Sequence, residues 1–311
     1  MNTRPTTRPV LVGVDGLPGS AGAVRYAITA ARRREAPLRL VHVVPDFLGP
    51  GPAVPIRDLQ RVGEQLLADE LATVHRLAPD LEVSTVLTRG DRSTGIVEAA
   101  GSAQLLAIGR ETRRAVDRLL TGATTAAVAA HAPCDTVVVP SYWVDEHPRG
   151  RIVVGLKSGR DSVELVTRAF AEAAARHASL TVVTAWHMVD PYFDRVEART
   201  HSDDWERSGL ETIDGATAAG RAAHPDVAVE AKVVHGDPAR VLLDASEGSD
   251  LLLISRRRWS LPPYGHLGGV GHALLRVSDV PVEVVPYAAD PPASHREPEL
   301  AVTGLAPAGR R

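Results

Sequence analysis

Apolar positions along this chain fall into two alternating patterns. Short unbroken runs rich in β-branched residues read as strands buried on both faces: Val10–Val14, Leu38–Val44 (ended by Pro45), Leu105–Ile108 and Thr136–Val139. Leu81–Leu87 alternates as a strand does. Between them lie stretches of helical spacing. Ser20 is the expected N-cap of a helix to about Arg34, with Val24, Ala27, Ile28 and Ala31 on one face. Arg57–Leu77 carries Leu59, Val62, Leu66, Leu67, Leu71 and Val74 on a helical stripe. Ser93 is the expected cap of a short helix through Ala100, and Gly122-Ala123-Thr124 opens an Ala-rich helix to His131. Phe47–Pro55 reads as a Gly/Pro loop, and Gly109 to about Leu120 as a polar, Arg-rich loop.

The pattern then repeats. VLVGVDG (Val10–Gly16) returns as IVVGLKS (Ile152–Ser158), so that Gly13 and Gly155 lie 142 positions apart. Gly90 and Gly236, like Gly122 and Gly268, lie 146 apart. The second set of strands is Ile152–Leu156, Leu180–Ala185, Val227–Val234, Leu251–Ile254 and Val282–Val285; its helices start near Asp161, Asp204, Pro238 and Gly268. A repeat of this length is two domain-sized copies rather than a solenoid. Strand–helix alternation implies an α/β fold, two tandem open five-stranded parallel sheets with helices on both faces. The expected units are a flexible N-terminus (1–8), domain one (9–140), a linker (141–150), domain two (151–286) and a disordered tail rich in Pro, Ala and charge (287–311).

Composition narrows the class. In 311 residues, 44% are hydrophobic but only 4% aromatic, so Val, Leu, Ile and Ala must build the cores. A net charge of −3, with both signs interspersed, points to neither nucleic acid nor an anionic membrane. Lysine occurs only at Lys157 and Lys232. The single cysteine, Cys134, excludes an intrachain disulfide and a multi-thiolate metal site, and its apolar context predicts a buried, unreactive thiol. The N-terminal stretch reads as neither signal peptide nor membrane span, which predicts a cytoplasmic protein. His42 and His131 read as structural histidines, and no His/Asp/Glu set has metal-ligand spacing.

Ligands of open parallel sheets bind beyond the carboxyl ends of the strands. In copy one that places Asp15, the Val43 region and the segment from Gly109 through Gly122-Ala123-Thr124-Thr125 at the candidate site. Gly109 would let a ligand approach the backbone, and a helix opening at Gly122 would offer unpaired N–H groups to an anion. Each feature has a structural alternative: Asp15 as a turn cap, the glycines as packing residues, Arg110, Arg113, Arg114 and Arg118 as a solvated loop rather than phosphate ligands. Arg256, Arg257 and Arg258 read as a site for a free anion or an acidic partner in copy two, with a solvated loop again the alternative. There is no GxxxxGK[ST] run and no GxGxxG after the first strand.

GVDGLPGS (Gly13–Ser20), LVHVV (Leu40–Val44), RGD (Arg89–Asp91) and IGRETRRAVDRLLTGATTAAVAAHAPCDTVVVP (Ile108–Pro140) resemble the universal stress protein family, in its tandem two-domain, actinobacterial type. The likeness extends from Val10 to Pro286. ATP-binding members of that family carry an acidic residue after strand one, a residue of strand two whose backbone meets adenine, and G-x-x-G-(nine residues)-G-[ST] after strand four. The resemblance assigns these positions to Asp15, Val43, Gly109, Thr112, Gly122 and Ala123. The second glycine is Thr112 here and the Ser/Thr position is Ala123, so Thr124 or Thr125 is left to supply a hydroxyl. In copy two the same positions are Lys157, Ser255, Arg258, Gly268 and Gly269.

The resemblance implies an adenine-nucleotide-linked regulatory or protective protein of stress response, with ATP in copy one and Mg²⁺ arriving on its phosphates. No general base and no P-loop lysine can be assigned, so any hydrolysis is expected to be slow. Two other readings stand beside it: a nucleotide-independent interaction protein with an unknown protein partner, and an adenylate- or phosphoryl-transfer enzyme. The last strands are expected to be pairing edges, either between the domains or between chains of a homodimer.

Overall fold

The computed structural model describes residues 7–46, 55–110, 123–145, 148–157, 162–256 and 267–286. The first copy runs β1 (Val10–Gly13), α1 (Ala21–Arg33), β2 (Leu38–Val44), α2 (Ile56–Leu77), β3 (Val83–Arg89), α3 (Arg92–Ala99), β4 (Leu105–Arg110), α4 (Ala123–His131) and β5 (Asp135–Pro140). The second runs β6 (Arg151–Gly155), α5 (Ser162–Arg176), β7 (Ser179–Trp186), α6 (Pro191–Thr200), α7 (Ser202–Ala223), β8 (Val229–His235), α8 (Pro238–Ser246), β9 (Leu251–Ser255), α9 (Gly268–Val277) and β10 (Val282–Val285).

The two expected sheets are fused into one. Ten strands lie in the order β3-β2-β1-β4-β5-β10-β9-β6-β7-β8. Every pairing is parallel except the seam, where β5 and β10 run antiparallel with Val138 opposite Val282, Val137 opposite Glu283 and Thr136 opposite Val284. Both last strands are therefore paired on each side within one chain. The edge pairing is of the interdomain kind, and no free edge remains there for a second copy; the outer strands are β3 and β8.

Strand alternation sorts the core into two layers that run through both copies. Val10, Val12, Ile152 and Val154 face α1, α2, α5 and α7, whereas Leu11, Val153, Leu106 and Leu252 face α3, α4, α8 and α9. Covering both faces is what makes these strands read as unbroken apolar runs. Among the described residues, no helix is long and apolar enough to cross a membrane.

Local details depart from expectation in three places. Ser20 does not cap α1: it lies in a 3-10 turn (Pro18–Ser20), and its hydroxyl donates to the Leu17 carbonyl at 3.0 Å. The cap of α3 is Asp91 rather than Ser93; its carboxylate accepts from the Thr94 N–H at 2.9 Å, and Ser93 donates to the same oxygen. Those hydrogen bonds, the Ser93 hydroxyl first, hold the Asp91 carboxyl down to about 2. The corresponding Asp237 caps α8 through the Arg240 N–H at 3.0 Å. The third departure is α6, which the helical start near Asp204 did not anticipate. Its signal was the Asp190-Pro191 pair, an acceptor of the Tyr192 and Phe193 N–H groups followed by proline at the first helical position.

Parts of the linker are pinned. Trp143 packs edge-on against Tyr26 at 5.1 Å, and Tyr142 donates to Asp279 at 2.8 Å. The expected disordered tail and most of the Phe47–Pro55 loop lie outside the described residues, as do residues 1–6 of the N-terminus.

Candidate functional site

In copy one, β1 is the central strand from which the chain winds outward in both directions, through β2 to β3 and through β4 to β5. It is also short. The β1–β2 register ends at Gly13 opposite Val41, while β2 continues to Val44 and β4 to Arg110. Backbone polar groups of a strand point alternately to its two neighbours. The Val41 carbonyl accepts from Val14, on the β1 side, and the Val44 carbonyl accepts from Gly90, on the β3 side. Val43 shares the direction of Val41, so its N–H and C=O turn toward a space where β1 has already ended. Its side chain is buried, 4% exposed, against the α3 side.

The rest of the candidate set gathers around that step. Asp15 is exposed, and its Oδ1 accepts from the Leu17 N–H at 3.0 Å, so it does cap the turn after β1. Across from it stands Glu70 of α2. Burial pushes the Glu70 carboxyl above its usual range, and the charges of Asp15 and Asp69 add to this. His42 is structural, its Nδ1–H donating to the Val14 carbonyl at 2.8 Å. Its partner can only accept, which fixes the tautomer.

Gly109 is pressed by backbone. A Cβ built there would stand 2.2 Å from the Gly19 carbonyl oxygen and 2.9 Å from Ser20 Cα. Glycine at this position lets the Pro18–Ser20 turn lie directly on the end of β4. Gly109→Ala is expected to force the turn away from β4 and to destabilise the fold by about 1–3 kcal/mol. Urea denaturation checks this; an unchanged midpoint would show that the turn yields without cost.

The start of α4 comes to the same end of the sheet. Thr125 Oγ1 lies 3.5 Å from the Gly109 carbonyl, to which it donates, while Ala123 and Thr124 are exposed in the first turn. Of the two hydroxyls left to supply the missing donor, Thr124 is the one without such a contact to β4. Thr112, Gly122, Arg113, Arg114 and Arg118 lie outside the described residues. Among the described residues no group of three or more His, Cys, Asp or Glu could hold a metal ion. Cys134 is buried, and burial, with the Asp135 charge, pushes its thiol up to about 12.

Copy two is built differently at this end. Lys157 is exposed after β6, Ser255 closes β9, and α9 opens at Gly268 (φ +67°) and Gly269. Arg257, Arg258, Trp259, Pro262, Pro263 and Tyr264 lie outside the described residues. Beyond β7 and β8 sits an aromatic cluster that the sequence reading missed. Trp186 stacks on Trp205 of α7 at 5.3 Å and against His235 at 4.5 Å. His235 Nε2 meets Asp194 Oδ1 of α6 at 2.9 Å. The Met188 N–H first, and then His235, hold the Asp194 carboxyl below its usual range. The tryptophans are the signal that was available, since the chain has only four.

Arg110 and Arg256 belong to neither reading considered for them. Both are buried, 9% and 7% exposed, and both reach across the seam. Arg110 donates to the Ser278 carbonyl, and Arg256 donates to the carbonyls of Ala130 and Ala132.

Known proteins agree with this architecture. The sequence profile of the Universal stress protein family matches residues 6–140 and again 148–286. Universal stress protein Rv2623 of Mycobacterium tuberculosis is 29% identical over 290 residues, covering 88% of this chain and 95% of its own. A universal stress protein of Mycolicibacterium smegmatis is 26% identical over 289 residues, covering 89% and 96%. The crystal structure of a universal stress protein from Archaeoglobus fulgidus shares the fold with a TM-score of 0.66 at 15% identity, covering 90% of this chain and 98% of that one. Twofold profile coverage, the two-copy sheet and the full-length relatives lead to one conclusion: this chain belongs to the universal stress protein family, as a tandem of two such domains.

Proposed function

We propose that copy one binds an adenine nucleotide, ATP in the first instance, and that the protein acts through that binding as a regulatory or protective component of a stress response. The observation that carries this reading is the step at β1, which leaves the Val43 N–H and C=O turned toward the space beyond Gly13. One donor and one acceptor on adjacent backbone atoms suit the edge of a purine base. Asp15 at the rim suits ribose hydroxyls, and the exposed Ala123-Thr124 start of α4 suits phosphate. The residues present thus fit the group. Mg²⁺ would come with the phosphates, retaining several waters of its own.

Copy two departs where copy one fits. Lys157 replaces the rim acid, and Ser255 occupies the position of Gly109. We assign it no nucleotide. A second reading, an interaction protein that needs no nucleotide, draws on α6 and the turn before it. There Val189, Tyr192 and Phe193 are 97%, 67% and 62% exposed.

Calorimetric titration of the full chain with MgATP separates the two. The first reading expects binding with a dissociation constant below about 1 mM, roughly 4 kcal/mol. Asp15→Ala is expected to weaken it about tenfold, some 1.4 kcal/mol. No heat of binding at millimolar ATP overturns the nucleotide reading; binding that Asp15→Ala leaves intact removes Asp15 from the site.

A further inference from the structure

Helix α4 is short and poorly anchored by its own sequence. Nine of its residues are described, with no acidic residue in their first turn. Helices of this length are marginal on their own, so tertiary contacts must set where α4 lies. Four carbonyls at its C-terminal end have partners that can be named. Ala132 N–H donates to the Val128 carbonyl at 2.9 Å, and His131 Nδ1–H donates to that of Ala127 at 2.8 Å. The Ala130 carbonyl is met by Arg256 Nη1 at 2.9 Å and the Ala132 carbonyl by Arg256 Nη2. Arg256 follows β9, in the other copy. A buried guanidinium, permanently charged and forked, grips the negative end of the α4 dipole with two donors.

The arrangement is reciprocal. Arg110 and Arg256 are 146 positions apart, as are Ala132 and Ser278. Arg110 ends β4 and donates to the Ser278 carbonyl, just past the C-terminus of α9. Each copy therefore holds the C-terminal end of the other copy's last helix, from the residue at or next to the end of its own fourth strand. The two grips differ in what lies at the opposite end of the helix. For α9 it is Gly268 and Gly269 of the altered copy. For α4 it is Ala123 and Thr124, about 13 Å away along a rigid element.

We propose that Arg256, in the copy without a nucleotide, is a positioning residue for the site in the other copy: by fixing the C-terminal end of α4 it aims the phosphate-facing start of that helix. This rests on the nucleotide reading above. It gives the degenerate copy a role beyond enlarging the core. Arg256, next to the end of its fourth strand, serves the neighbouring copy rather than its own.

The test is MgATP affinity of the full-length chain by calorimetry, with hydrogen exchange at α4 as a second readout. Arg256→Met is expected to weaken binding about tenfold and to accelerate exchange over residues 123–131. Arg256→Lys, which keeps the charge but loses the fork, is expected to fall between the two. Phe170→Leu, a change in the fully buried core layer on the sheet face opposite α4, controls for stability. It is expected to leave affinity within twofold of the parent. Parental affinity in Arg256→Met overturns the proposal, as does an equal loss in Phe170→Leu. If Arg256→Met fails to fold, Arg256→Lys decides by the same criterion. A parent chain that binds no MgATP overturns the nucleotide reading itself, and the positioning role with it.

Discussion

Glu172→Ala is expected to destabilise the folded chain by about 3–5 kcal/mol, the loss associated with leaving buried charge uncompensated. Glu172 lies on α5, 4% exposed, facing α1 of the other copy. Its carboxylate accepts from Arg176 Nε at 3.0 Å, from Arg33 Nη2 at 3.4 Å and from Arg34. Arg176 donates onward to the Tyr26 hydroxyl at 2.6 Å, and its guanidinium sits 5.6 Å from that ring's centroid. Burial alone would push the Glu172 carboxyl up, but Arg176, Arg34 and Arg33 together outweigh it and hold it down to about 2. Removing the carboxylate leaves three guanidinium groups crowded under the seam. Urea denaturation followed by fluorescence reads the effect. A loss below about 1 kcal/mol would mean that the arginines find water or other acceptors, and that this cluster does not hold the copies together. The sign with pH follows from the depressed carboxyl. Its contribution is complete above the ordinary glutamate range and is lost as pH falls toward about 2.

The second large effect has the opposite sign. Glu283 lies on β10, opposite Val137 of β5, and is fully buried with no hydrogen-bond partner for either carboxylate oxygen. Burial pushes its carboxyl up to about 8; the charges of Glu172 and Asp135 add to this, and Arg34 and Arg168 oppose it. The neighbouring Asp135 is raised by burial as well, in spite of its ion pair with Arg168. The folded state therefore keeps a proton that the unfolded chain releases. Stability from this group is complete below the ordinary range of 4.5 and declines as pH rises to about 8. Glu283→Gln removes the titrating group while keeping its shape. The variant is expected to match the parent near about pH 4 and to exceed it by roughly 5 kcal/mol at about pH 9. Denaturation midpoints across that range are the measurement; parent and variant running parallel would show that Glu283 is ionised in the folded chain throughout.

Much of the fold was legible because its signals are local. A strand buried on both faces must be apolar throughout, so Val10–Val14 and Leu251–Ile254 stood out without any partner being known. The offset of Gly122 and Gly268 located the starts of α4 and α9 to within a residue. Where the signal was one hydroxyl among several candidates, as with Ser20 and Ser93, the cap went to a neighbour or to none, since which side chain reaches an N–H depends on backbone direction. At the candidate site, strand ends alone singled out Asp15 and the Val43 region, and the family resemblance narrowed the second to Val43 itself. The packing of Gly109 against Gly19 was not legible, because that contact joins a turn to the end of a strand 90 positions away.

What the sequence by itself determined was the element order apart from α6, the duplication and the asymmetry between copies at Asp15 and Lys157. These follow from burial periodicity and from comparing the chain with itself. Only the tertiary structure decided that two sheets become one, and what the charges along the seam do. Arg34 and Glu172 are 138 positions apart, Arg256 and Ala132 are 124, and Arg110 and Ser278 are 168. A charged side chain in a loop reads as solvated until something removes it from water. Here the antiparallel pairing of β5 with β10 does so, placing Glu283 and Glu172 under the seam and turning Arg110 and Arg256 into the partners of helix ends in the opposite copy.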